Sequence, residues 1–262
     1  MTASSGMQAK LKSGETVYGT FVSIPEPAIV EILGWSGYDF AVIDFEHTSM
    51  DTRTVLDMVR AAEASGVTPL ARIGLRDLTT ALRLVEIGIK GILAPHVTDR
   101  EYLEQLQAVV RYRGAGGDRG IDPSTRSVRY GMDNVADKLG PDTEVMIFAL
   151  VEDREGIDNI ADIAEFDGLD GVMLGAADLA RSYGQGADVG HPLVNEAIES
   201  ASKVLRAAGI PSWRAAYTPD QVRGIREQGA RIVSTPAVDA LLISAAFRDQ
   251  LRAVKGDDAT VR

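Results

Sequence analysis

Eight short, continuously apolar runs recur along the chain, and each is followed by a longer segment whose apolar residues return at helical spacing. Parallel strands buried on both faces read as unbroken apolar runs, whereas the crossover helices between them bury a single stripe. The runs fall at 17–24, 40–46, 68–73, 91–95, 144–151, 169–175, 210–215 and 231–234. Such a series predicts a closed (β/α)8 barrel, an α/β architecture that commonly takes roughly 250 residues. The 262 residues leave no room for a second full domain, so one catalytic domain is expected over 1–262, with a polar stretch 1–12 and a frayed end 255–262.

The helical reading rests on spacing and end signals. Val55, Met58, Val59 and Ala62 fall at i, i+3, i+4 and i+7, and so do Ile157, Ile160, Ala161 and Ala164. Thr218-Pro219-Asp220-Gln221 combines an N-cap, a proline at the first helical position and a capping-box glutamine, and Thr98 with Glu101 suggests a second box. Gly66, Gly88, Gly168 and Gly209 stand where left-handed C-caps are expected. One connection, 113–131, breaks the rhythm with interleaved glycines and arginines; long connections of this kind are more often functional than idle.

Charge and composition exclude whole classes of function. Lys plus Arg total 27 against 38 Asp plus Glu, a net charge of -11 that repels phosphate backbones and anionic lipid, so neither nucleic acid nor a membrane is an expected partner. No cysteine is present, which removes disulfides, thiolate nucleophiles and thiolate metal sites. Met1 to Lys12 lacks the apolar core of a signal peptide, and no run approaches the length of a membrane span; a cytoplasmic location is expected.

In such barrels the strand C-termini and the loops after them build the site. Four runs end in polar chemistry: Asp44-Phe45-Glu46-His47 after the second, Arg72 at the end of the third, Glu152-Asp153 after the fifth, and Gly175-Ala176-Ala177-Asp178 after the sixth. Glu152 and Asp178 come from neighbouring strands about 4.8 Å apart, so their carboxylates can meet. Two converging acids without cysteine favour a divalent cation that takes oxygen ligands, Mg2+, Mn2+ or Co2+, with positions open for substrate. Each acid could instead cap the helix that follows it. Arg72 is placed to meet a carboxylate or a developing enolate oxygen, or else an internal partner, Asp44 or Glu46. His47 follows two acids at the expected rim and is the candidate proton carrier; His96 and His191 are expected to line the pocket. Trp213, the connection 113–131 and Ser234 to Pro236 are expected to shape substrate selectivity.

These residues resemble the HpcH/HpaI aldolases, metal-dependent class II pyruvate aldolases. The carriers are Tyr38-Asp39-Phe40-Ala41-Val42-Ile43-Asp44-Phe45-Glu46-His47, Leu70-Ala71-Arg72, Gly91-Ile92-Leu93-Ala94-Pro95, Arg119-Gly120, Val151-Glu152-Asp153-Arg154-Glu155 and Gly168 to Leu179. The resemblance implies that Glu152 and Asp178 hold the metal, that Arg72 contacts a pyruvate enolate, and that His47 serves acid/base catalysis with Asp44 and Glu46 behind it. It implies cleavage of a 4-hydroxy-2-oxo acid to pyruvate and an aldehyde, or the reverse addition, with no organic cofactor. Gly175, Ala176, Ala177 and Trp213 would line the substrate, and a homohexamer built as a trimer of dimers is expected. Three departures stand out: Leu150 where glutamine is common, Ala176 where proline is common, and Glu86 where a shorter Asp supports the histidine of a neighbouring subunit. The alternatives on the same scaffold are oxaloacetate decarboxylation, a citrate-lyase-β-like reaction on a CoA thioester, or a catalytically silent barrel that binds a metabolite.

Overall fold

The apolar runs pair in sequence order. In the computed structural model, which describes residues 6–138 and 145–255, the strands are β1 (Val17–Val22), β2 (Phe40–Asp44), β3 (Thr68–Arg72), β4 (Gly91–Ala94), β5 (Met146–Val151), β6 (Gly171–Leu174), β7 (Ser212–Ala215) and β8 (Ile232–Val238). All pairings are parallel, and β8 returns to β1 to close the barrel. The helices are α1 (Met7–Lys12), α2 (Pro27–Trp35), α3 (Thr52–Ser65), α4 (Leu78–Glu86), α5 (Arg100–Val110), α6 (Arg154–Asp158), α7 (Ile160–Ala164), α8 (Ala176–Ser182), α9 (Pro192–Ala207), α10 (Pro219–Glu227) and α11 (Asp239–Lys255). No described helix is long and apolar enough to cross a membrane.

Side chains alternate across each strand, so the barrel has two apolar compartments. Val42, Ile92 and Val172 belong to strands with opposite parities at these positions: Val42, Leu70, Leu93, Phe148, Met173 and Trp213 fill the interior, while Ile43, Ala71, Ile92, Val172 and their neighbours pack under the helices. Met7 and Leu11 of α1 join the interior cluster, so part of the stretch expected to be merely polar, 1–12, is a short amphipathic helix packed on the interior. The i, i+4 pair is its apolar signal, diluted by the polar residues around it. Residues 1–5, and 256–262 of the expected frayed end, lie outside the described residues.

Trp213 corrects an expectation. Rather than lining substrate it is fully buried, edge-on to Phe40 at 5.1 Å and to Phe148 at 5.4 Å, and its indole N–H donates to Ser234 Oγ at 2.8 Å. Ser234 and Pro236, expected in the loop after the eighth strand, lie within β8, and Ser234 is itself fully buried. A tryptophan fits because small residues stand opposite large ones in the interior: a Cβ on Gly19 would lie 2.3 Å from the Phe40 ring. Gly19→Ala should therefore cost about 2 kcal/mol, since Phe40 is wedged against Trp213 and cannot yield; urea unfolding reads the loss, and an unchanged midpoint would count against this packing.

The connection 113–131 is also displaced from its expected place. It leads from a helix to a strand, and such connections lie at the N-terminal face of the barrel, opposite the mouth. Its arginines tie it to the ends of α3 and α4: Arg119 Nε donates to Glu86 Oε1 at 2.9 Å, and Arg126 binds Glu63 at 2.6 Å and the Ile87 carbonyl at 2.9 Å. Glu86 is thus an ion-pair partner of Arg119 at that face and does not join His47 within its own chain.

Other local expectations divide. The Thr218–Gln221 capping box forms, Val55, Met58, Val59 and Ala62 are buried, and the four C-cap glycines have positive φ. The stripe expected over 157–164 is broken at Asn159 into α6 and α7, with Ala161 exposed and Ile163 buried in its stead. At α5 the cap is Asp99, which accepts from Tyr102 N at 2.8 Å, because a carboxylate one residue later reaches the first-turn amides that Thr98 was expected to cap. The last helix, α11, stands off the barrel: Asp239 is anchored by Ser23 N at 2.9 Å, but Leu241, Leu242 and Phe247 are exposed.

Candidate active site

The interior parity that buries Val42, Leu70, Leu150 and Met173 continues for one more step at each strand end, bringing Asp44, Arg72, Glu152 and Gly175 above the apolar filling. The register sets Asp44 directly beside Arg72. Arg72 Nε donates to Asp44 Oδ1 at 2.9 Å and Nη2 to Oδ2 at 2.7 Å, while Nη1 lies 3.2 Å from Glu46 Oε2. Its guanidinium also stands 5.0 Å over the Phe21 ring. Burial works against the Arg72 charge, but the Asp44 bond and the charges of Asp44, Glu46 and Glu152 outweigh it and raise the pKa. Both internal partners expected as alternatives are therefore present, and they hold the fork in a fixed direction.

Glu152 is 5% exposed. It does not cap the following helix; Asp153 holds that position, and Glu152 Oε1 accepts from the His96 backbone N–H at 3.2 Å. Burial pushes its pKa up to about 7, with the nearby charges of Asp178 and Glu46 adding to the rise and His96 opposing it. Asp178 lies in the first turn of α8 and makes no cap bond there; Arg181 Nη1 is 3.9 Å from its carboxylate. Gly175 between them is required by close approach, since a Cβ would come within 2.8 Å of the Glu152 Cβ and 3.0 Å of Oε2. Ala176 and Ala177 begin α8 beside it, and Leu150 is buried beneath.

The three histidines separate. His47 is exposed at the outer rim, Nε2 lying 3.6 Å from Glu46 Oε2. His191, expected to line the pocket, caps α9, accepting from Leu193 N at 3.2 Å through Nδ1. His96 is more closely integrated than sequence reasoning indicated. Nδ1 lies 2.9 Å from Asp153 Oδ2 and 3.6 Å from Glu152 Oε1, and Nε2 lies 3.9 Å from Glu46 Oε1. Burial lowers its pKa, but the Asp153 bond and the charges of Glu152, Asp153 and Glu46 more than reverse this. The available signal was Pro95-His96 immediately after the fourth strand.

The mouth thus carries more acid than its cations balance around Glu152. No group of three or more metal-ligating side chains converges among the described residues. A pair of carboxylates, one of them held near neutrality by burial, fits an oxygen-seeking divalent ion that keeps several positions for water and substrate.

The sequence profile of the HpcH/HpaI aldolase/citrate lyase family matches residues 17–245. The chain belongs to this family. It is an enzyme of that aldolase and lyase group. A pyruvate aldolase of Rhizobium etli is 32% identical over 83% of this chain and 84% of its own. A 5-keto-4-deoxy-D-glucarate aldolase of Escherichia coli is 31% identical over 87% and 88%. Among solved structures, the citrate synthase SbnG superimposes with a TM-score of 0.86 at 30% identity, covering 95% of this chain and 97% of its own.

Proposed function

We propose that this family member is a class II aldolase that cleaves 4-hydroxy-2-oxo acids to pyruvate and an aldehyde, or adds pyruvate to an aldehyde. The observation that carries the reading is the buried Glu152 carboxyl beside Asp178, with the forked Arg72 fixed next to it. Glu152 and Asp178 would hold a divalent ion, Mg2+, Mn2+ or Co2+, which supplies Lewis-acid polarisation of a 2-oxo acid. Arg72 keeps N–H groups beyond those taken by Asp44 and Glu46, and these meet the oxygen on which negative charge grows as a proton or carbon is lost from C3. Gly175, Ala176 and Ala177 border the bound acid. His47, with Glu46 at its Nε2, moves a proton at the aldehyde oxygen.

The test is deuterium exchange at the pyruvate methyl, followed by NMR with metal-stripped enzyme before and after Mg2+ or Mn2+ is added. Metal-dependent exchange supports the reading, and its absence under every metal sinks it. The same buried Glu152 beside Asp178 and forked Arg72 suit a second reading, loss of CO2 from oxaloacetate to give the same pyruvate enolate; release of pyruvate from oxaloacetate, faster than any aldol cleavage, would select it.

Metal binding should follow Glu152 ionisation. The raised pKa of about 7 means that the metal-free carboxyl holds a proton below that pH, and the ion must displace it. Affinity should fall roughly tenfold per pH unit below pH 7 and level off above it. Calorimetry across pH 5.5 to 8 reads this, and a flat profile would contradict it.

The assembly we propose is a homohexamer, a trimer of dimers. Its support is α11, whose Leu242 and Phe247 are 53% and 73% exposed along a 17-residue helix that leaves the barrel. Leu242→Asp combined with Phe247→Asp should reduce the mass seen by light scattering, and an unchanged mass would remove α11 from the interface.

A further inference from the structure

His96 occupies a strained and over-determined position that the chemistry above does not use. It follows Pro95 at the end of β4 with φ +50, a left-handed conformation that is unfavourable for a residue with a Cβ and persists only where surroundings enforce it. Two carboxylates do so. The backbone N–H is held by Glu152 Oε1 at 3.2 Å, and the ring by Asp153 Oδ2 at 2.9 Å. A carboxylate can only accept, so Nδ1 carries the proton of that bond. The ring is thereby fixed with its other nitrogen at the mouth. There Nε2 makes no hydrogen bond to the described protein; Glu46 Oε1, at 3.9 Å, is beyond reach. The side chain is 34% exposed, so the ring is not sealed from the mouth.

A polar atom aimed at the mouth by two purpose-built contacts selects by what it can pair with. Nε2 accepts when the ring is neutral and donates when it is charged, and a hydroxyl complements either form because it both donates and accepts. An acidic group does not fit. Asp153, Glu152 and Glu46 place carboxylate oxygens 2.9, 3.6 and 3.9 Å from the ring nitrogens, and their field repels a second anion. An alkyl group leaves Nε2 desolvated and unpaired. Resting on the aldolase reading, we infer that His96 is a specificity-determining residue whose Nε2 binds the hydroxyl of a neutral 2-hydroxyaldehyde acceptor.

The test compares acceptors of equal size on the full-length, metal-loaded enzyme with pyruvate. Glycolaldehyde and propanal have the same number of heavy atoms and differ in a hydroxyl for a methyl; glyoxylate adds the acidic case. The readout is the ratio of kcat/KM for two acceptors on one enzyme, in which any loss at the metal or the enolate cancels. The wild-type ratio of glycolaldehyde to propanal should be about tenfold, as one hydrogen bond to a half-buried polar group provides, with glyoxylate below glycolaldehyde. His96→Met should bring the glycolaldehyde ratio near one, through a higher glycolaldehyde KM, and His96→Gln should restore most of it. Asp153→Asn, which keeps the ring but loosens its anchor, should lower the ratio part-way and serves if the Met variant does not fold. A wild-type ratio near one, glyoxylate preferred over glycolaldehyde, or a ratio unmoved in the variants overturns the inference. Pyruvate methyl exchange in the wild type is read separately: its absence is the failure of the aldolase reading, and its presence with an unmoved ratio is the failure of this one alone.

Discussion

Glu152→Ala should lower metal-dependent exchange of the pyruvate methyl protons by about 10³-fold or more, because polarisation by a held cation is worth several kcal/mol at the transition state. The same change should not weaken the fold. A carboxyl that is 5% exposed and has its pKa pushed to about 7 is carried at a cost to the metal-free protein. The sign follows from linkage. An acid whose folded pKa lies above its unfolded value binds its proton more tightly when folded, so stability falls as pH rises from the unfolded pKa to the folded one. Above pH 7 the penalty is on the order of 3 kcal/mol, and removing the group relieves it. The metal-free variant should therefore match or exceed the wild type in urea at pH 8 while losing exchange. Loss of both activity and stability would mean that Glu152 is structural. Metal added to the wild type should close the stability gap, since a ligand that binds only the folded state stabilises it.

How much of this was legible in the sequence depends on whether a property follows from parity along one strand or from where elements meet. The barrel, and the convergence of Asp44, Arg72 and Glu152 above its filling, follow from apolar runs whose inward parity continues to the strand ends. The depth of Trp213 does not. Its position on β7 is readable, but that it is walled in by Phe40 and Phe148 depends on the stagger between strands that are distant in the chain. The misplacement of 113–131 has a different origin: glycine and arginine content suggested function, while the order helix-then-strand already assigned it to the face away from the mouth. His96 was hidden because its importance comes from a positive φ and from Asp153, 57 residues away, neither of which has a pattern in the chain. Glu46 shows the same limit. As one acid in Asp44-Phe45-Glu46-His47 it reads as a neighbour of His47, but it also approaches Arg72 and His96, and that shared position arises only once β2, β3 and β4 are side by side.

Arg72→Lys should reduce pyruvate methyl exchange by about 10²-fold while leaving the protein folded, and the choice of lysine decides what the result means. A neutral replacement would strand Asp44, which is 3% exposed and holds the guanidinium by both oxygens. Breaking a buried pair from one side typically costs about 3–5 kcal/mol, so Arg72→Ala would confuse a catalytic loss with unfolding. Lysine keeps the charge opposite Asp44 and Glu46 but has no fork, and it cannot serve both acids and still present a directed N–H to substrate. If Arg72 stabilises charge that appears only as the enolate forms, kcat should fall with little change in the pyruvate KM. If it only binds the pyruvate carboxylate, KM should rise instead and kcat should hold. A third outcome, exchange equal to the wild type in a folded Arg72→Lys enzyme, would show that any cation at this position suffices. The forked pair with Asp44 would then be there to stabilise the barrel mouth, and charge at the enolate oxygen would have to be met by another group.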